Sequence, residues 1–310
     1  MSKKTSVVMA VYNGRYFLRE QLNSIINQSL RIDELVIIDD CSSERSDDII
    51  NNCLVNSNIE LKYIVHKENK GYAQSFFEAI KSATGDCIFL SDQDDIWEGN
   101  KVELCTQIML EHPEISCLSS LNILIDSTGK EIKREQKPNQ YLYQVTCEEV
   151  IKQTKLRPGM TLAINRDLAN KVTKLDTRDY RQHDRLIEYM SAIDKGFYIL
   201  CVFLNKYRIH DNNTSGLNLS HYRLRSDING RIEQIDKEIQ YLELIEPIEK
   251  DYKTIIEQCI EYNNLRRKLL SDRKLFQYLL CIPSILNYSR NYRICAGDVL
   301  SIIKTRDRTK

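Results

Sequence analysis

The first hundred residues alternate between two kinds of hydrophobic pattern, and this alternation restricts the possible folds more than any other feature. Short, nearly continuous apolar runs cover residues 6–11, 34–39, 61–65 and 87–91. Such runs are typical of strands that are buried on both faces of a parallel sheet. Between them, apolar residues recur at helical spacing, as at positions 18, 22, 25 and 26. The pattern predicts a doubly wound α/β fold with a mostly parallel sheet flanked by helices.

The rest of the chain changes from mixed to helical. Further strands are expected over residues 121–125, 160–165 and 197–204, with a helix over 184–195. From residue 219 onward the apolar spacing is that of helices: Ile228, Ile232, Ile235, Ile239 and Leu242. We therefore expect an α/β domain over residues 1–216 and a helical region over residues 217–310.

Composition restricts the setting in which the protein works. The ten cysteines are scattered without a C-x-x-C pair, and several stand in apolar runs, where a thiol acts as a small hydrophobic group. We find no signal-peptide pattern and no run of ~20 apolar residues that would span a bilayer. These features predict a protein of the reducing cytosol. Acidic and basic residues balance at 44 each, which gives no argument for a nucleic-acid partner.

A pair of carboxylates ends the second predicted strand, at the edge where parallel sheets bind ligands. Asp39 and Asp40 could accept hydrogen bonds from the base or ribose of a nucleotide. The same residues would also fit a simple turn in which Ser42 or Ser43 caps the next helix.

A denser acidic cluster, SDQDD over residues 91–95, follows the fourth predicted strand. Three carboxylates within four residues repel one another unless a cation lies between them. Oxygen ligands suit Mg²⁺ or Mn²⁺, which would also bind the diphosphate of a nucleotide sugar. The alternative is a solvated acidic turn, but acids crowded at the ligand edge of a sheet are costly unless they have a function.

These clusters, with VYNGRYFLREQLNSIINQS and NKGYAQSFFEAIKSATGD, resemble family 2 glycosyltransferases, whose nucleotide-sugar-binding fold is called GT-A. The string SDQDDIW is similar in particular to the branch that contains bacterial rhamnosyltransferases of polysaccharide synthesis. The resemblance covers about residues 5–216. It implies an inverting, metal-dependent transfer of a sugar, with rhamnose as one choice, from a nucleoside-diphosphate donor to a glycan or lipid-linked glycan. That reaction would take place at the cytoplasmic face of the membrane.

The resemblance also implies roles for residues on the nucleotide side of the site. Ala10 and Tyr12 would line the base, Asp40 would bind it, and Asp39 would support the same loop. A second nucleotide-side loop would include Lys70 and Gly71. Cys41 departs from the pattern, since glycine is common after the acid pair.

Further roles concern the metal and the reaction. Asp92 and Asp94 match the family's DxD motif, with Asp94 as the metal ligand and Asp92 near both the metal and the ribose. Arg208 and His210 match a segment that could reach the diphosphate or the metal, although a lone histidine is often structural. Asp184 matches the position of the catalytic base, although an aspartate at the start of a helix can also be a plain N-cap.

Other functions remain open at this point. The same fold could use a UDP-hexose donor such as UDP-glucose or UDP-galactose, because sugar selectivity depends on the shape of the pocket. A nucleotidyltransferase would need a glycine- and lysine-rich phosphate loop after the first strand, and the chain lacks one. A non-catalytic partner that binds nucleotide sugars would be expected to lose the carboxylates, and all of them are present.

Charge is uneven over the helical region. Residues 231–261 include nine acidic and four basic residues, whereas residues 266–310 include eleven basic and three acidic ones. The basic segment could rest on anionic lipid headgroups while apolar side chains enter the bilayer surface: Leu275, Phe276, Leu279 and Leu280. A solvated helix face, or packing on the catalytic domain or on a second copy in a homodimer, would explain the pattern equally well.

Overall fold

The structure, a computed structural model, describes residues 3–152, 155–178, 180, 182–210, 228–245, 252–289 and 292–307. The chain divides into two compact units. The first comprises Met1–Thr146 with Leu156–Ile209, and the second comprises Cys147–Lys155 with His210–Lys310. The domain boundary expected at residue 216 lies outside the described residues and stays a prediction.

A single large sheet forms the centre of the first unit. Its strands within the described residues are β1 (Thr5–Val11), β2 (Glu34–Asp39), β3 (Glu60–Val65), β4 (Cys87–Ser91), β5 (Ile96–Trp97), β6 (Cys117–Ile125), β7 (Glu131–Arg134), β8 (Leu142–Gln144), β9 (Leu162–Asn165) and β10 (Phe197–Arg208). The order across the sheet is β3-β2-β1-β4-β9-β6-β10-β5, with β7 beside β6 and β8 beside β10.

Most of the long strand pairs run parallel. β2 pairs with both β1 and β3 in parallel, β1 pairs with β4, and β6 pairs with β10. The short β9 lies antiparallel between β4 and β6. The carboxyl ends of β1, β2 and β4 therefore meet at one edge of the sheet, and the loops that follow them carry the predicted site.

Helices flank this sheet. Those of the first unit are α1 (Arg15–Ile26), α2 (Asp47–Leu54), α3 (Tyr72–Ser82), α4 (Lys101–Glu111), α6 (Arg166–Val172) and α7 (His183–Ile193), with a 3₁₀ turn at Gly159–Thr161. Leu18, Leu22 and Ile25 of α1 are fully buried against the sheet, as their spacing predicts. Burying each such side chain contributes about 1.5–3 kcal/mol. The α/β architecture with helices around a mostly parallel sheet confirms the predicted fold class.

β6 and β9 begin at residues other than those predicted, β6 because it buries polar side chains. β6 begins at Cys117 rather than at residue 121, since Ser119 and Ser120 are fully buried within it. The Ser119 hydroxyl lies 2.8 Å from that of Thr161, which satisfies both groups. Met160 and Thr161 form the 3₁₀ turn, so β9 begins at Leu162 instead of residue 160.

The second unit is helical. It consists of α5 (Cys147–Ile151), α8 (Ile228–Ile245), α9 (Lys253–Ser271), α10 (Leu275–Ser289) and α11 (Tyr292–Asp307). Its core contains the apolar series predicted from the sequence, including Ile228, Ile235 and Ile239. Among the helices of the described residues, none combines the length and the apolar character needed to cross a bilayer.

Candidate active site

Three carboxylates crowd the loop between β4 and β5. Asp92, Asp94 and Asp95 each place one carboxylate oxygen within 4.8 Å of those of the other two. Asp95 is fully buried, and its Oδ1 accepts a hydrogen bond of 2.9 Å from the backbone N–H of Arg208. Its Oδ2 finds no hydrogen-bond partner among the described residues. A buried, unsatisfied carboxylate oxygen beside two further carboxylates fits the ligand set of a hard divalent cation.

The electrostatics of this loop agree with its geometry. Burial, with the charges of Asp94 and Asp184, raises the pKa of Asp92 to about 7. Burial, with the charges of Asp94 and Asp92, raises the pKa of Asp95 well above its ordinary range. A divalent cation would compensate this repulsion and displace the protons. Cation binding at this loop would therefore release protons and strengthen as the pH rises through about 7.

The sequence grouped all three acids around a cation but assigned only Asp92 and Asp94, and not Asp95, as its ligands. Nothing in the string SDQDD distinguishes the third acid, because its burial depends on β10, whose residue Arg208 covers it. His210 directly follows the end of the first unit and is grouped with the second one. Its role as a metal ligand stays a prediction. Asp211, Asn212 and Asn213, from the same sequence segment, lie outside the described residues.

Arg208 supports the acidic loop from within the protein. Its side chain is buried, and its Nε donates a hydrogen bond of 2.8 Å to the backbone carbonyl of Asp94. The guanidinium also pairs with Glu20 and lies 4.6 Å from the ring centroid of Phe17. These contacts give Arg208 a structural task that the sequence did not reveal, while its predicted contact with the diphosphate stays a prediction.

A second buried cation, Lys101, was also missed. Its Nζ donates hydrogen bonds to the carbonyl of Met160 at 2.9 Å and to Oδ1 of Asn205 at 2.6 Å. It also lies 3.7 Å from the ring centroid of Trp97. Burial lowers the pKa of Lys101 to about 7. The sequence gives no signal for the burial of this lysine, since lysine is usually exposed.

On the nucleotide side, the end of β1 is tied to the acidic loop. The backbone N–H of Tyr12 donates to Oε1 of Gln93 at 2.9 Å, and Nε2 of Gln93 donates to the Tyr12 carbonyl at 3.1 Å. A Cβ at Gly14 would lie 2.0 Å from Gln93 Oε1, so glycine is required for this approach. Tyr12 itself is 50% exposed, and Ala10 on β1 is partly exposed. Both are therefore accessible to a ligand at this edge.

Asp39 organises the turn after β2. Its Oδ1 accepts a hydrogen bond of 2.8 Å from the N–H of Ser42, and its Oδ2 accepts one of 3.0 Å from the hydroxyl of Tyr63. Neither Ser42 nor Ser43 caps the next helix, because α2 begins only at Asp47. Cys41 has a positive φ of 64°, which explains physically why glycine suits this position.

Asp40 fixes the second nucleotide-side loop. Its Oδ1 accepts a hydrogen bond of 2.8 Å from the N–H of Lys70, and its Oδ2 accepts one of 2.8 Å from the N–H of Gly71. Nδ1 of His66 also lies 2.8 Å from Oδ1. The structure thus brings Asp40, Lys70 and Gly71 together at one edge of the sheet. The role of Asp40 in base binding stays a prediction.

Asp184 lies in the first turn of α7. The N-cap position is Gln182, and Asp184 Oδ1 accepts a hydrogen bond of 2.9 Å from the N–H of the next residue, Arg185. Asp184 is therefore not the N-cap itself. Its charge contributes to the raised pKa of Asp92, so the two carboxylates lie within electrostatic range of each other.

The preceding residue, His183, is buried and stacks on Phe76 with ring centroids 3.9 Å apart. Neither ring nitrogen has a hydrogen-bond partner within the part of the chain that the structure describes. Burial lowers the pKa of His183 to about 4, so the ring is neutral at physiological pH. The 3₁₀ turn packs closely against it, since a Cβ at Gly159 would lie 2.8 Å from Nε2.

Comparison with known proteins identifies this arrangement. The model of the family described as glycosyl transferase family 2 matches residues 6–172, more than half of the chain. The chain belongs to glycosyltransferase family 2. The match includes the acidic loop and both nucleotide-side loops of this family 2 glycosyltransferase, and it ends before α7.

Three curated relatives align with about two thirds or more of this glycosyltransferase. A Nostoc glycosyltransferase is 28% identical over 68% of this chain and 66% of its own length. The dTDP-rhamnosyl transferase RfbG of Shigella flexneri is 30% identical over 68% of this chain and 75% of its own. The Escherichia coli protein WfgD, a UDP-Glc:α-D-GlcNAc-diphosphoundecaprenol β-1,3-glucosyltransferase, is 25% identical over 73% and 85%.

Among solved structures, the fold resembles residues 1–349 of Staphylococcus aureus TarS in complex with UDP. The TM-score is 0.61, with 14% sequence identity over 99% of this chain and 92% of the other. At this identity the likeness shows the fold alone, and that fold is GT-A, as the sequence resemblance implied.

Proposed function

We propose that this family 2 glycosyltransferase transfers a sugar, with inversion, from a nucleoside-diphosphate donor to a hydroxyl group of a growing cell-surface glycan. One observation carries the proposal: a cluster of three carboxylates suited to a cation lies at the same sheet edge as a separate carboxylate, Asp184, on α7. The reaction needs these two functions side by side, one for the leaving diphosphate and one for the attacking hydroxyl.

Different residues of the first unit bind the nucleotide and the cation. The nucleotide lies along the end of β1, with its base against Ala10 and Tyr12 and the Asp39–Asp40 turn beside it. Asp92, Asp94 and Asp95 would hold a divalent cation, Mg²⁺ or Mn²⁺, which when bound would neutralise the charge of the diphosphate.

Asp184 removes the proton of the acceptor hydroxyl while that oxygen bonds to the anomeric carbon. The bond between this carbon and the diphosphate oxygen breaks in the same step, and the configuration inverts. The nucleoside diphosphate leaves with the electron pair of the broken bond.

Two donor classes are supported by relatives. RfbG, a dTDP-rhamnosyl transferase, favours dTDP-rhamnose, whereas WfgD, which uses UDP-glucose, favours a UDP-hexose such as UDP-glucose or UDP-galactose. Because RfbG is the more similar in sequence, we propose rhamnose first. A non-catalytic nucleotide-sugar-binding partner is less consistent with the site, because Asp92, Asp94 and Asp184 are all in place.

Calorimetric titration tests this proposal. We expect one of dTDP-rhamnose, UDP-glucose, UDP-galactose and UDP-N-acetylglucosamine to bind with Mn²⁺ present and at least ~10-fold more weakly without it, because the cation compensates the diphosphate. Asp94→Ala should remove this metal dependence.

Asp176→Ala is the matched control, because Asp176 is an exposed aspartate whose carboxylate pairs with Arg178. It should bind the donor as the wild type does. No binding of any donor by the wild type would overturn the proposed function, and unchanged metal dependence in Asp94→Ala would contradict the metal assignment.

For the acceptor, we propose a lipid-linked glycan at the inner face of the cell membrane, which α10 contacts. Phe276, Leu279 and Leu280 are 74%, 46% and 66% exposed, and Pro283 lies on the same helix face. Leu275, which the sequence also assigned to this surface, instead packs against the core of the second unit.

Charge favours a membrane over a second copy of the chain as the occupant of this face. Residues 266–310 carry eleven basic and three acidic residues, so a second copy would bring the same excess of positive charge to the contact. An anionic bilayer would instead complement this charge while accepting the apolar side chains.

Cosedimentation with vesicles tests the membrane contact. Replacing Phe276 and Leu280 together with serine should weaken binding to phosphatidylglycerol-containing vesicles by at least ~10-fold, since each buried apolar side chain contributes about 1.5–3 kcal/mol. Val55→Ser, which changes an exposed apolar residue of the first unit, serves as the control. Unchanged sedimentation of the double variant would contradict the proposal, and a change from dimer to monomer would assign the face to a homodimer.

A further inference from the structure

Tyr72 occupies a place in the site for which no task was predicted from the sequence. It is the first residue of α3 and follows Gly71, whose N–H is held by Asp40. Gly71 has a positive φ of 88°, so the chain turns sharply just before the tyrosine. The backbone that carries Tyr72 is thus fixed by the same carboxylate that organises the nucleotide-side loop.

The side chain of Tyr72 faces α7. Its ring meets that of His183 in an edge-to-face arrangement, with centroids 5.9 Å apart and an interplanar angle of 76°. His183 is itself fixed by stacking on Phe76, so one side of Tyr72 rests on a rigid support. The residue is nevertheless 42% exposed, so a ligand at this edge of the sheet can reach it.

The charges of two carboxylates with different proposed tasks, Asp184 and Asp92, act on the Tyr72 hydroxyl. Burial, followed by the charges of Asp184 and Asp92, raises its pKa to about 12. The phenol is therefore protonated at all physiological pH values and can donate a hydrogen bond. The effect also agrees with a position near both the proposed base and the proposed metal-binding loop.

The stereochemistry of inversion identifies what lies between these groups. In an in-line displacement, the attacking oxygen and the leaving oxygen stand on opposite sides of the anomeric carbon. Asp184 serves the attacking oxygen, and the acidic loop serves the leaving one. Tyr72 follows Gly71 of the nucleotide-side loop and contacts His183, the residue next to Asp184, so its side chain borders the sugar ring that lies between these two parts of the site.

We propose that Tyr72 is a specificity-determining residue that contacts the transferred sugar of the donor, with its ring against the C–H face of the sugar and its hydroxyl donating to a sugar oxygen. This inference rests on the proposed function. It assigns Tyr72 to the sugar and Tyr12 to the base, so the two exposed tyrosines of the site recognise different parts of one donor.

Calorimetry separates the two tyrosines. Each variant is titrated, with Mn²⁺ present, with dTDP and dTDP-rhamnose and with UDP and UDP-glucose. Tyr72→Ala should keep the affinity for the nucleoside diphosphate within about twofold of wild type and should weaken binding of the sugar-bearing donor by about 10-fold or more. Tyr72→Phe, which keeps the ring, should lose less affinity for the sugar-bearing donor than Tyr72→Ala does. Tyr12→Ala should weaken both ligands of a pair by the same factor.

Retained binding of dTDP or UDP also shows that a variant is folded. If Tyr72→Ala lost affinity equally for both ligands of a pair, or lost none for either, the assignment of Tyr72 to the sugar would be overturned. If the wild type bound neither dTDP-rhamnose nor UDP-glucose but did bind a nucleoside diphosphate, this inference would fall, whereas the nucleotide site would stand. If it bound no nucleotide at all, the proposed function itself would fall.

Discussion

Replacing Asp184 with asparagine is expected to lower the rate of sugar transfer by about 10²–10⁴-fold, the usual contribution of a general base. Asparagine keeps the size of the side chain and its oxygen, which can still accept the hydrogen bond from the Arg185 N–H. It cannot remove a proton from the acceptor hydroxyl. Affinity for the donor should therefore stay near that of the wild type, because the acidic loop and the nucleotide-side loops are untouched.

The measurement is kcat for transfer beside the dissociation constant of the donor, both with Mn²⁺. Asp194→Asn is the matched control, because Asp194 stands at the other end of α7 and forms an exposed pair with Lys171. It should transfer sugar at the wild-type rate. If Asp184→Asn kept more than about a tenth of the wild-type rate, Asp184 would not be the base.

Much of the first unit could be predicted because its strands have a simple physical signature. Every residue of β2 and β4 is buried, so both strands read as unbroken apolar runs and lie at the residues expected. β6 and β10 were predicted too short because they bury polar groups, among them Ser120, Asn205 and Arg208. A polar residue stays inside only where a partner satisfies it, and sequence alone does not show that partner.

The same reason explains which parts of the site were missed. Asp39, Asp40, Asp92 and Asp94 could be singled out from the sequence because strand ends and acid spacing mark them, and their roles in binding stay predictions. Lys101 was missed because its hydrogen-bond acceptor, Asn205, is 104 positions away along the chain. Long-range polar contacts of this kind set the shape of the loops, whereas local patterns mark only where the loops begin.

The second unit holds a buried ionic network that should dominate its stability. Asp298 of α11 is fully buried, and its carboxylate accepts hydrogen bonds from Arg231 at 2.7 Å and from Nε of Arg266 at 2.6 Å. The hydroxyl of Tyr278 donates to the same group. One carboxylate thereby links α8, α9, α10 and α11. A Cβ at Gly297 would lie 2.0 Å from an Arg231 nitrogen, so glycine leaves room for this pair.

Asp298→Ala is expected to destabilise the second unit by about 3–5 kcal/mol, because two largely buried guanidinium groups would lose their counter-ion. Hydrogen exchange of the full chain, followed by mass spectrometry, measures this locally. Peptides from α8 and α9 should exchange about 10²–10⁴ times faster where exchange requires the unit to open. Asp298→Asn should destabilise the second unit less than Asp298→Ala, since asparagine carries no charge but can still accept a hydrogen bond.

Asp236→Ala in α8 is the control that distinguishes the effect of losing a buried ion pair from that of losing an exposed one. Asp236 also pairs with an arginine, Arg267, at 2.5 Å, but the two side chains are 37% and 50% exposed. Water already solvates this pair, so its loss should cost less than about 1 kcal/mol. If Asp236→Ala and Asp298→Ala accelerated exchange equally, the buried network would add nothing beyond a surface ion pair. A larger acceleration in Asp298→Ala than in Asp236→Ala is the expected result. It would follow from desolvation, since water cannot replace the lost carboxylate inside the helical core.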